Sequence, residues 1–518
     1  MQRSFYILWN LNFLKDLMKK VLFTAEWMLF IFLTALALVP VCCAKWYHCG
    51  DGPFHLYSAT VLNDLLFHSG KSFGNFFDLH ITPVPNTIIL VFQAVMLEFF
   101  APNVVVMLTM VSVSAGIVFG YLYFIRSINP AHKGISLLIL PAIINFFTTM
   151  GLISFLASLG LMLVTIGYFN KRANRLNKKD NTILAGLIIL TWFTHIGGAL
   201  FSLAYISLYF ILMGKERKKI LKTLLIIYIP FLLLSLIFGK EETKSNPLVF
   251  ALFSDLLHFL RDLAPVISYH SDELHFLKYF QYLLFLSFPV SLFYFYKKEQ
   301  KLILYIPLIF CFLLLLAFFI APTNSLSIKF INYRLLFCAL LFFCAFIDAY
   351  RPRYFLIVII PVITFVLIKK NDFYVPAVRA YSKDVETIIK NSEGLPKGKP
   401  VMTMNYSDNW LEYNICLYPA STNKVLILDN EEASTRNSII RWKSEKDPVG
   451  KVGNIFNSKH PVFNLDYEKL TNEKIAAILK WQYDPAKADS AEKVSDNLIN
   501  TLFEPPKATE GVLLFLRK

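Results

Sequence analysis

Residues suited to acid–base chemistry lie just behind the first long apolar stretch of the chain, in the sequence WYHCGDGPFHLY. They include Asp51 and, four positions later, His55. A carboxylate can take a proton from an attacking hydroxyl or amine, and a nearby imidazole can orient that carboxylate or contact a phosphate. The Gly-Asp-Gly-Pro run is also good turn chemistry, because Asp and Gly favour turns and Pro fixes φ. We prefer catalysis for Asp51, with a structural turn as the alternative.

Six further ionisable residues lie between apolar stretches and are candidates for substrate binding: Asp78, His80, His195, Arg261, Lys329 and Arg334. Lysine and arginine can stabilise a departing phosphate, and arginine can contact it bidentately. For Arg334, the competing interpretation is a long side chain that reaches the membrane surface with its charged end. For His195, which precedes a Gly-Gly pair, the competing interpretation is packing at a helix end. Arg334 is therefore the first candidate among these residues for binding a phosphate group.

The composition indicates an integral membrane protein. Of the 518 residues, 56% are hydrophobic and only 17% charged, with a mean hydropathy of +0.52. A soluble domain carries about 25% charged residues. Apolar stretches that could each cross about 30 Å of hydrocarbon recur up to residue 369, after which the sequence becomes polar. We predict a multi-spanning membrane domain, 1–369, followed by a soluble α/β domain, 370–518.

The net charge of +15 comes largely from short basic loops. They lie near 171–179, 214–222, 297–301 and 351–353. The positive-inside rule places these loops, and the basic N-terminus, in the cytoplasm. The loop at 44–85 then faces outward and carries Asp51. Because the basic residues form no stripe with interleaved aromatics, nucleic acid is not an expected partner.

Eleven membrane-spanning helices are predicted, at 21–42, 103–125, 134–149, 152–169, 181–195, 196–213, 221–238, 276–296, 302–320, 335–350 and 353–369. A further apolar segment, 86–100, is predicted to be interfacial or re-entrant, since counting it as a span would invert every later loop. An odd number of spans places the soluble domain outside. Outer turns near 145–152, 195–198, 239–275 and 321–334 would then surround the first outer loop.

The soluble domain is predicted to contain a helix, a Gly/Pro turn and a short strand over 378–407, further strands at 424–430 and 511–518, and a helix or a strand at 474–485. No catalytic constellation stands out in it. Trp410, Tyr413 and Trp442 could stack on a sugar, but aromatic core packing is the preferred interpretation. We expect this domain to recognise the acceptor or to cover the site.

This architecture resembles the GT-C superfamily of integral-membrane glycosyltransferases. The resemblance covers the whole chain, and its motif evidence is mainly Gly50-Asp51-Gly52-Pro53-x-His55, with FFDLHITPVPN closing the first outer loop. It implies transfer of a sugar from a polyprenyl-phosphate-linked donor to a glycan, lipid or protein acceptor at the outer face of a bacterial inner membrane. It also implies that Asp51 is catalytic. The family commonly has a second acidic residue in a later outer loop, but 145–155 has none, and Asp78 is the suggested substitute.

Other classes of protein remain open. One is a transporter or lipid flippase, although no internal repeat is apparent. Another is a non-catalytic envelope assembly protein, and a third is a polymerase or ligase that uses a diphosphate-linked donor. The sequence contains no phosphate-cradling glycine loop and no Cys/His zinc spacing, so it demands no cofactor. A divalent cation, Mg²⁺ or Mn²⁺, is left as an option beside the acidic residues, and membrane lipid is an expected partner.

Overall fold

A computed structural model describes residues 24–130, 132, 134–213, 217–239, 248–264, 266–297, 305–324, 329–435, 438–454 and 460–518. Within these ranges, seven helices are long and apolar enough to cross a membrane: Thr24–Cys42, Pro102–Ile128, Ile153–Arg172, Leu221–Phe238, Ser271–Lys297, Ile331–Tyr350 and Arg353–Asn391. Shorter apolar helices complete the bundle. The predicted polytopic helical protein with a C-terminal α/β part is therefore confirmed, but among the described residues only seven of the eleven predicted spans correspond to helices that are long and apolar enough to cross a membrane.

The helices of the first part follow one another in chain order. They are α1 Thr24–Cys42, α2 Gly52–Phe67, α3 Thr87–Met96, α4 Pro102–Ile128, α5 Phe146–Met150, α6 Ile153–Arg172, α7 Lys178–Thr194, α8 Ile196–Met213, α9 Arg217–Gly239, α10 Phe253–Asp262, α11 Leu274–Lys297, α12 Ile306–Ile320, α13 Ile331–Tyr350 and α14 Leu356–Asn391. Helices α4 and α6 pack very closely, since a Cβ on Gly120 would lie 2.6 Å from the carbonyl oxygen of Gly160. Small residues allow this approach where lipid gives helices no hydrophobic drive to associate.

The prediction of a membrane-spanning helix at 134–149 is wrong. Apart from a 3₁₀ turn at Leu140–Ala142 and the start of α5, this segment is irregular. All residues from 135 to 148 are buried. Non-helical backbone at membrane depth is tolerated only inside protein, where its polar groups find partners. Pro141 falls within the 3₁₀ turn, and the Asn145 side chain accepts a hydrogen bond from the amide of Thr148. These residues favour a turn where apolarity alone suggested a helix.

The segment predicted to be interfacial forms only α3, which has ten residues. A helix of that length rises about 15 Å, half of the hydrocarbon thickness. It is therefore too short to span, in agreement with the prediction.

The segment predicted as a loop at 44–85 contains helix α2 and packs into the C-terminal α/β part. Its strand β1 (Phe77–Leu79) pairs antiparallel with β4 (Ile440–Trp442). The hydroxyl of Tyr57 on α2 donates a 2.9 Å hydrogen bond to the carbonyl of Ile427. Tyr57 and Phe77 also share a buried cluster with the central sheet. The loop that carries Asp51 is therefore held by the C-terminal residues.

The central sheet of the C-terminal part is mixed, with the order β3-β2-β7-β9-β8 among the strands that the structure describes. Its strands are β2 Pro400–Asn405, β3 Leu426–Ile427, β7 Ala477–Trp481, β8 Lys507–Thr509 and β9 Val512–Leu516, and β5 Gly453–Asn454 pairs with β6 Val462–Phe463 outside it. Three helices flank it: α15 Tyr418–Asn423, α16 Asp466–Thr471 and α17 Ser490–Leu502. Strand β2 runs parallel to β3 and β7, and β9 runs antiparallel to β7. The segment 474–485, for which the sequence predicts either a helix or a strand, thus contains strand β7.

Candidate active site

Asp51 is positioned where two stretches of backbone meet. The amide of Gly50 donates to the carbonyl of Thr149, and the amide of Asp51 donates to the carbonyl of Met150, both at 2.9 Å. A Cβ on Gly50 would lie 2.9 Å from the Met150 oxygen, so only glycine fits without a shift. Gly151 has φ +79°, a conformation that glycine adopts at little cost. Gly50 therefore allows the backbone next to Asp51 to contact the backbone of Met150 closely.

The Asp51 side chain is not used as a helix cap. Asp51 occupies the position before α2, but its carboxylate accepts no capping hydrogen bond. A long contact of 3.4 Å joins Oδ1 to Nδ2 of Asn414, whose amide also donates to the Gly50 carbonyl at 3.0 Å. Burial raises the pKa of Asp51, and the positive charges of His55 and Lys329 oppose this rise. A half-buried carboxylate that caps no helix, and that accepts only a long hydrogen bond from Asn414 among the described residues, suits a proton acceptor.

His55 lies one helical turn after Asp51, on the same face of α2. Burial lowers the pKa of His55, while the charge of Asp51 and a hydrogen bond to the Gly151 backbone act in the opposite direction. The two pKa values therefore move toward each other, which favours sharing of a proton between them. The charges of Asp51 and His55 therefore interact, and the role of His55 in orienting the carboxylate stays a prediction.

A second group of residues joins the start of α13 to the turn between α7 and α8. Nε of Arg334 donates to the carbonyl of Lys329 at 3.1 Å, and its guanidinium lies over the Phe155 ring at 4.7 Å. Nη1 of Arg334 lies 2.7 Å from Nε2 of His195. Lys329 therefore contacts Arg334 through its backbone carbonyl, while the charge of its side chain acts on the pKa of Asp51.

The contact between Arg334 and His195 has a hydrogen-bond conflict. Nδ1 of His195 accepts from the amide of Gly197 at 3.0 Å. An amide and a guanidinium can only donate, so both ring nitrogens would have to be unprotonated. A neutral imidazole keeps one N–H and cannot satisfy both contacts. An anionic oxygen placed between Arg334 and an Nε2–H of His195 would accept from both, which is the chemistry of a phosphate site.

The soluble part adds acidic residues that the sequence analysis missed. Burial, followed by the negative charge of Asp51, raises the pKa of Glu432 to about 7. Burial and the charge of Glu431 likewise raise the pKa of Asp429 to about 7, although a 3.5 Å contact from the Thr403 hydroxyl opposes it. Both residues follow β3. The only sequence signal was a strand ending in Asp-Asn, and nothing in it indicated proximity to a residue almost 400 positions away.

Three of the predicted binding residues lie elsewhere. Asp78, on β1, is exposed and has Lys443 at 3.8 Å. His80 donates from its amide to Ile439 at 2.7 Å, so both residues are held by the soluble part. Arg261, on α10, is exposed and makes two hydrogen bonds to the adjacent Asp262, at 2.7 and 2.8 Å. The structure joins Lys329, Arg334 and His195 by direct contacts, relates this group to Asp51 through the charge of Lys329, and gives the other three residues different partners.

Two of the three aromatic candidates, Trp442 and Trp410, have packing partners. Trp442 stacks on Phe77 with ring centroids 4.0 Å apart, and its indole N–H donates to the Asn430 carbonyl at 2.9 Å. Trp410 packs against Tyr269 at 5.3 Å. These contacts agree with the preferred interpretation of core packing.

The helical bundle, the long first loop with Asp51 and the C-terminal α/β part together form a fold that is also seen in a solved structure. The chain is similar in structure to ArnT from Cupriavidus metallidurans bound to undecaprenyl phosphate. The two share 11% sequence identity with a TM-score of 0.51, over 95% of this chain and 98% of that chain. No family model and no curated protein matches the sequence. The similarity establishes the fold, so the reaction must be argued from the site.

Proposed function

We propose that this protein is a bacterial inner-membrane glycosyltransferase. It moves a sugar from a polyprenyl-phosphate-linked donor to an acceptor at the outer face of the membrane. The observation that carries the proposal is the Asp51 carboxylate, which is half-buried, free of a capping role and adjacent to cationic side chains. The GT-C fold, and the undecaprenyl phosphate bound to the similar ArnT structure, support a lipid-phosphate donor.

In the proposed reaction, Asp51 accepts the proton of an acceptor hydroxyl or amine as that atom attacks the anomeric carbon. The bond between the anomeric carbon and the phosphate oxygen breaks, and the polyprenyl phosphate leaves with the electron pair. His55 orients the carboxylate and shares the proton. Glu432 remains protonated up to about pH 7 and can donate a hydrogen bond to the acceptor or the sugar. Near neutral pH, Glu432 therefore carries a proton while Asp51 is ionised and can accept one.

The leaving phosphate is assigned to Arg334, His195 and Lys329. Charge that develops on the phosphate is best stabilised by donors that are already in place. Arg334 is fixed by the Lys329 carbonyl and by the Phe155 ring, and its conflict with His195 disappears when a phosphate oxygen accepts from both. The phosphate group would thereby complete the hydrogen bonding of this pair.

A divalent cation such as Mg²⁺ or Mn²⁺ would be held by carboxylate oxygens near Asp51, whereas the group with metal-ligand spacing among the described residues is His460, Asp489 and Glu492, on other elements. Hard cations take carboxylate oxygens, and Asp51 and Glu432 lie close enough for the charge of Asp51 to raise the pKa of Glu432. When bound, such a cation supplies positive charge to the leaving phosphate. Arg334 and Lys329 provide positive charge from the chain itself.

Native mass spectrometry of the full-length protein, purified in mild detergent, tests this function. We expect co-purified polyprenyl phosphate or its glycosylated form. Asp51→Asn should retain the glycosylated donor, because binding persists while turnover stops. Arg334→Gln should lose most of the lipid. Matched controls are Asp78→Asn and Arg261→Gln, which change the same residue types at positions held by other partners.

Contrary results would redirect the assignment. If only bulk phospholipid is present and no variant alters it, the enzyme is rejected in favour of a transporter or an assembly protein. If polyprenyl phosphate binds but Asp51→Asn and Asp78→Asn behave alike in a transfer assay, the catalytic role of Asp51 is rejected.

A further inference from the structure

A cavity of about 440 Å³ lies at the end of the bundle remote from Asp51. Its lining includes His132, Tyr294, Arg351 and Arg353. Seventeen residues of α13 and its end separate Arg334 from Arg351, which is about 25 Å along a helix. The cavity is therefore distinct from the candidate active site, and the two lie about one hydrocarbon thickness apart.

Arg351 is buried and rigidly held at this cavity. Its side chain is 2% exposed, and Nε donates to Oδ1 of Asp348 at 2.9 Å. Nη2 donates to the carbonyl of Ile135 at 2.7 Å. Asp348 also accepts from the hydroxyl of Tyr121 at 3.1 Å. Nη1 has no hydrogen-bond partner among the residues that the structure describes, so a fixed guanidinium keeps donors for a further acceptor.

Other cationic groups surround the same space. Arg353 lines the cavity and pairs with Glu26 through Nε at 2.9 Å and Nη2 at 2.8 Å. His132 lines it too, and its pKa is lowered to about 4, first by burial and then by the positive charges of Arg351 and Arg126. Asp348 and Glu26 each pair with one of the two arginines, while Nη1 of Arg351 remains without a described acceptor and Arg126 adds a further positive charge near His132. Such a cavity favours an anion.

The position of the cavity limits the kind of anion. It opens where α13 ends and α14 begins, beside the exposed hydroxyls of Tyr294 and Tyr354, which lie 2.6 Å apart. Tyrosines are enriched at the level of lipid headgroups, and basic pockets between helices at that level bind headgroup phosphates. A volume of this size also admits a phosphate with a small substituent but excludes a large glycan.

We propose that this cavity binds a phosphate monoester, held by Nη1 of Arg351 and by Arg353, at the membrane surface opposite the candidate active site. The phosphate comes either from an anionic lipid of that leaflet or from a soluble phosphate compound. The proposal is independent of the glycosyltransferase function, because none of its residues belongs to the site around Asp51.

The full-length protein in nanodiscs provides the test. One arm compares phosphatidylcholine nanodiscs with discs that also contain phosphatidic acid, and mass spectrometry of the retained lipid is the readout. The other arm adds inorganic phosphate or glycerol phosphate to phosphatidylcholine discs. In both arms, NMR follows the titration of His132, whose pKa should rise when a negative charge enters the cavity.

Two variants make the test specific. Arg353→Gln should reduce phosphate binding about tenfold, the effect of losing one charge-assisted contact. Arg175→Gln, an exposed arginine in a loop on the same predicted face, is the control and should bind as the parent does. Arg351 is left intact, since its removal would leave Asp348 buried without its partner.

The outcomes separate the two sources of phosphate. Retention of phosphatidic acid with a higher His132 pKa, both reduced in Arg353→Gln, supports a lipid headgroup. Saturable binding of inorganic phosphate or glycerol phosphate with the same His132 response supports a soluble phosphate. An unchanged His132 pKa in both arms overturns the proposal, as does equal loss of binding in Arg353→Gln and Arg175→Gln.

Discussion

The amide nitrogen of Asp51 lies 2.9 Å from the carbonyl oxygen of Met150. This bond joins the first outer loop to the end of the irregular buried segment, so the position of the proposed base depends on a second stretch of backbone. Gly151 allows the approach, because a Cβ there would lie 2.6 Å from the same Asp51 nitrogen. The site is therefore expected to be sensitive to backbone substitutions that leave every ionisable group in place.

Gly151→Ala should abolish most of the transfer activity. The substituted residue would have to keep a φ of +79°, which costs about 1–2 kcal/mol for an L-residue, and its methyl group would push Asp51 away. The measurement is sugar transfer together with the thermal unfolding midpoint. The control is Gly186→Ala in α7, where a Cβ meets nothing within 4 Å and alanine should stabilise the helix by about 0.5–1 kcal/mol. Full activity in Gly151→Ala would show that the function of Asp51 does not depend on the close approach of the Gly151 backbone to the Asp51 amide.

Arg334→Lys should bind polyprenyl phosphate more weakly than the parent, and Arg334→Gln more weakly still. Lysine keeps the charge but loses the planar fork that reaches His195 and the phosphate together. The loss expected for Arg334→Gln is about 1.5–3 kcal/mol, the value of a hydrogen bond to a charged group. Titration with a short-chain polyprenyl phosphate measures it. Arg261→Gln removes an exposed arginine bonded to Asp262 and should have no effect; equal losses in both variants would contradict the assignment.

Glu432→Gln should change the alkaline side of the pH–rate profile. The pKa of Glu432 is about 7, so its protonated form disappears as the pH rises through that value. If the protonated carboxyl donates a hydrogen bond during transfer, kcat/KM in the parent falls above about pH 7. Glutamine remains neutral and keeps a donor, so that fall should vanish, whereas the acidic limb set by Asp51 remains. Glu431→Gln, the adjacent exposed carboxylate, is the control and should retain the alkaline fall.

The same substitution tests linkage to stability. A carboxyl group whose folded pKa is raised binds more protons in the folded state between its unfolded pKa of 4.5 and about 7. Stability should therefore decrease as the pH rises through this window. Glu432→Gln should be more stable than the parent above pH 7, by about 1 kcal/mol after allowing for solvent contact. Unfolding midpoints at pH 5 and pH 8 give the comparison, and an equal difference at both values would argue against ionisation as the cause.

The sequence predicted features that depend on local pattern. Apolar stretches located α4, α6 and α13 with errors of a few residues. The residue types at positions 51 and 55, and the position of Arg334 and His195 at predicted turns, identify these four side chains as candidates. In each case the signal lies within one stretch of chain. Helix α2, which carries His55, is not predicted, because the Gly- and Pro-containing sequence that precedes it indicates a loop.

Features that depend on contacts between distant residues could not be predicted from local sequence patterns. The contact between Asp51 and Asn414 joins residues 363 positions apart, and no local pattern encodes it. The irregular segment at 134–149 looked helical because burial among other helices makes it as apolar as a span. The predicted boundary at residue 370 lies inside the continuous helix α14. A change in composition marks where chain leaves lipid, and a helix can continue past that point.

Lys370 provides a test of this continuity. Its ammonium group donates to the carbonyls of Ile144 and Ile267, the latter at 2.7 Å, and lies 3.7 Å from Oε2 of Glu273. Oε1 of Glu273 accepts from the Tyr374 hydroxyl at 2.8 Å. The pair therefore fastens α14 to the irregular segment that supports Asp51. Removing one partner of a buried ion pair leaves an uncompensated charge, which costs about 3–5 kcal/mol.

Lys370→Met should therefore destabilise the protein strongly and reduce activity, even though the residue lies outside the proposed site. Its neighbour offers a matched control, because Lys369 is exposed and forms a 3.1 Å surface pair with Asp372. Such pairs contribute about 0–1 kcal/mol, so Lys369→Met should change little. The double variant Lys370→Met/Glu273→Gln should recover part of the loss, because it removes both charges. Equal unfolding midpoints for the two single variants would mean that the membrane and soluble parts are not coupled through α14.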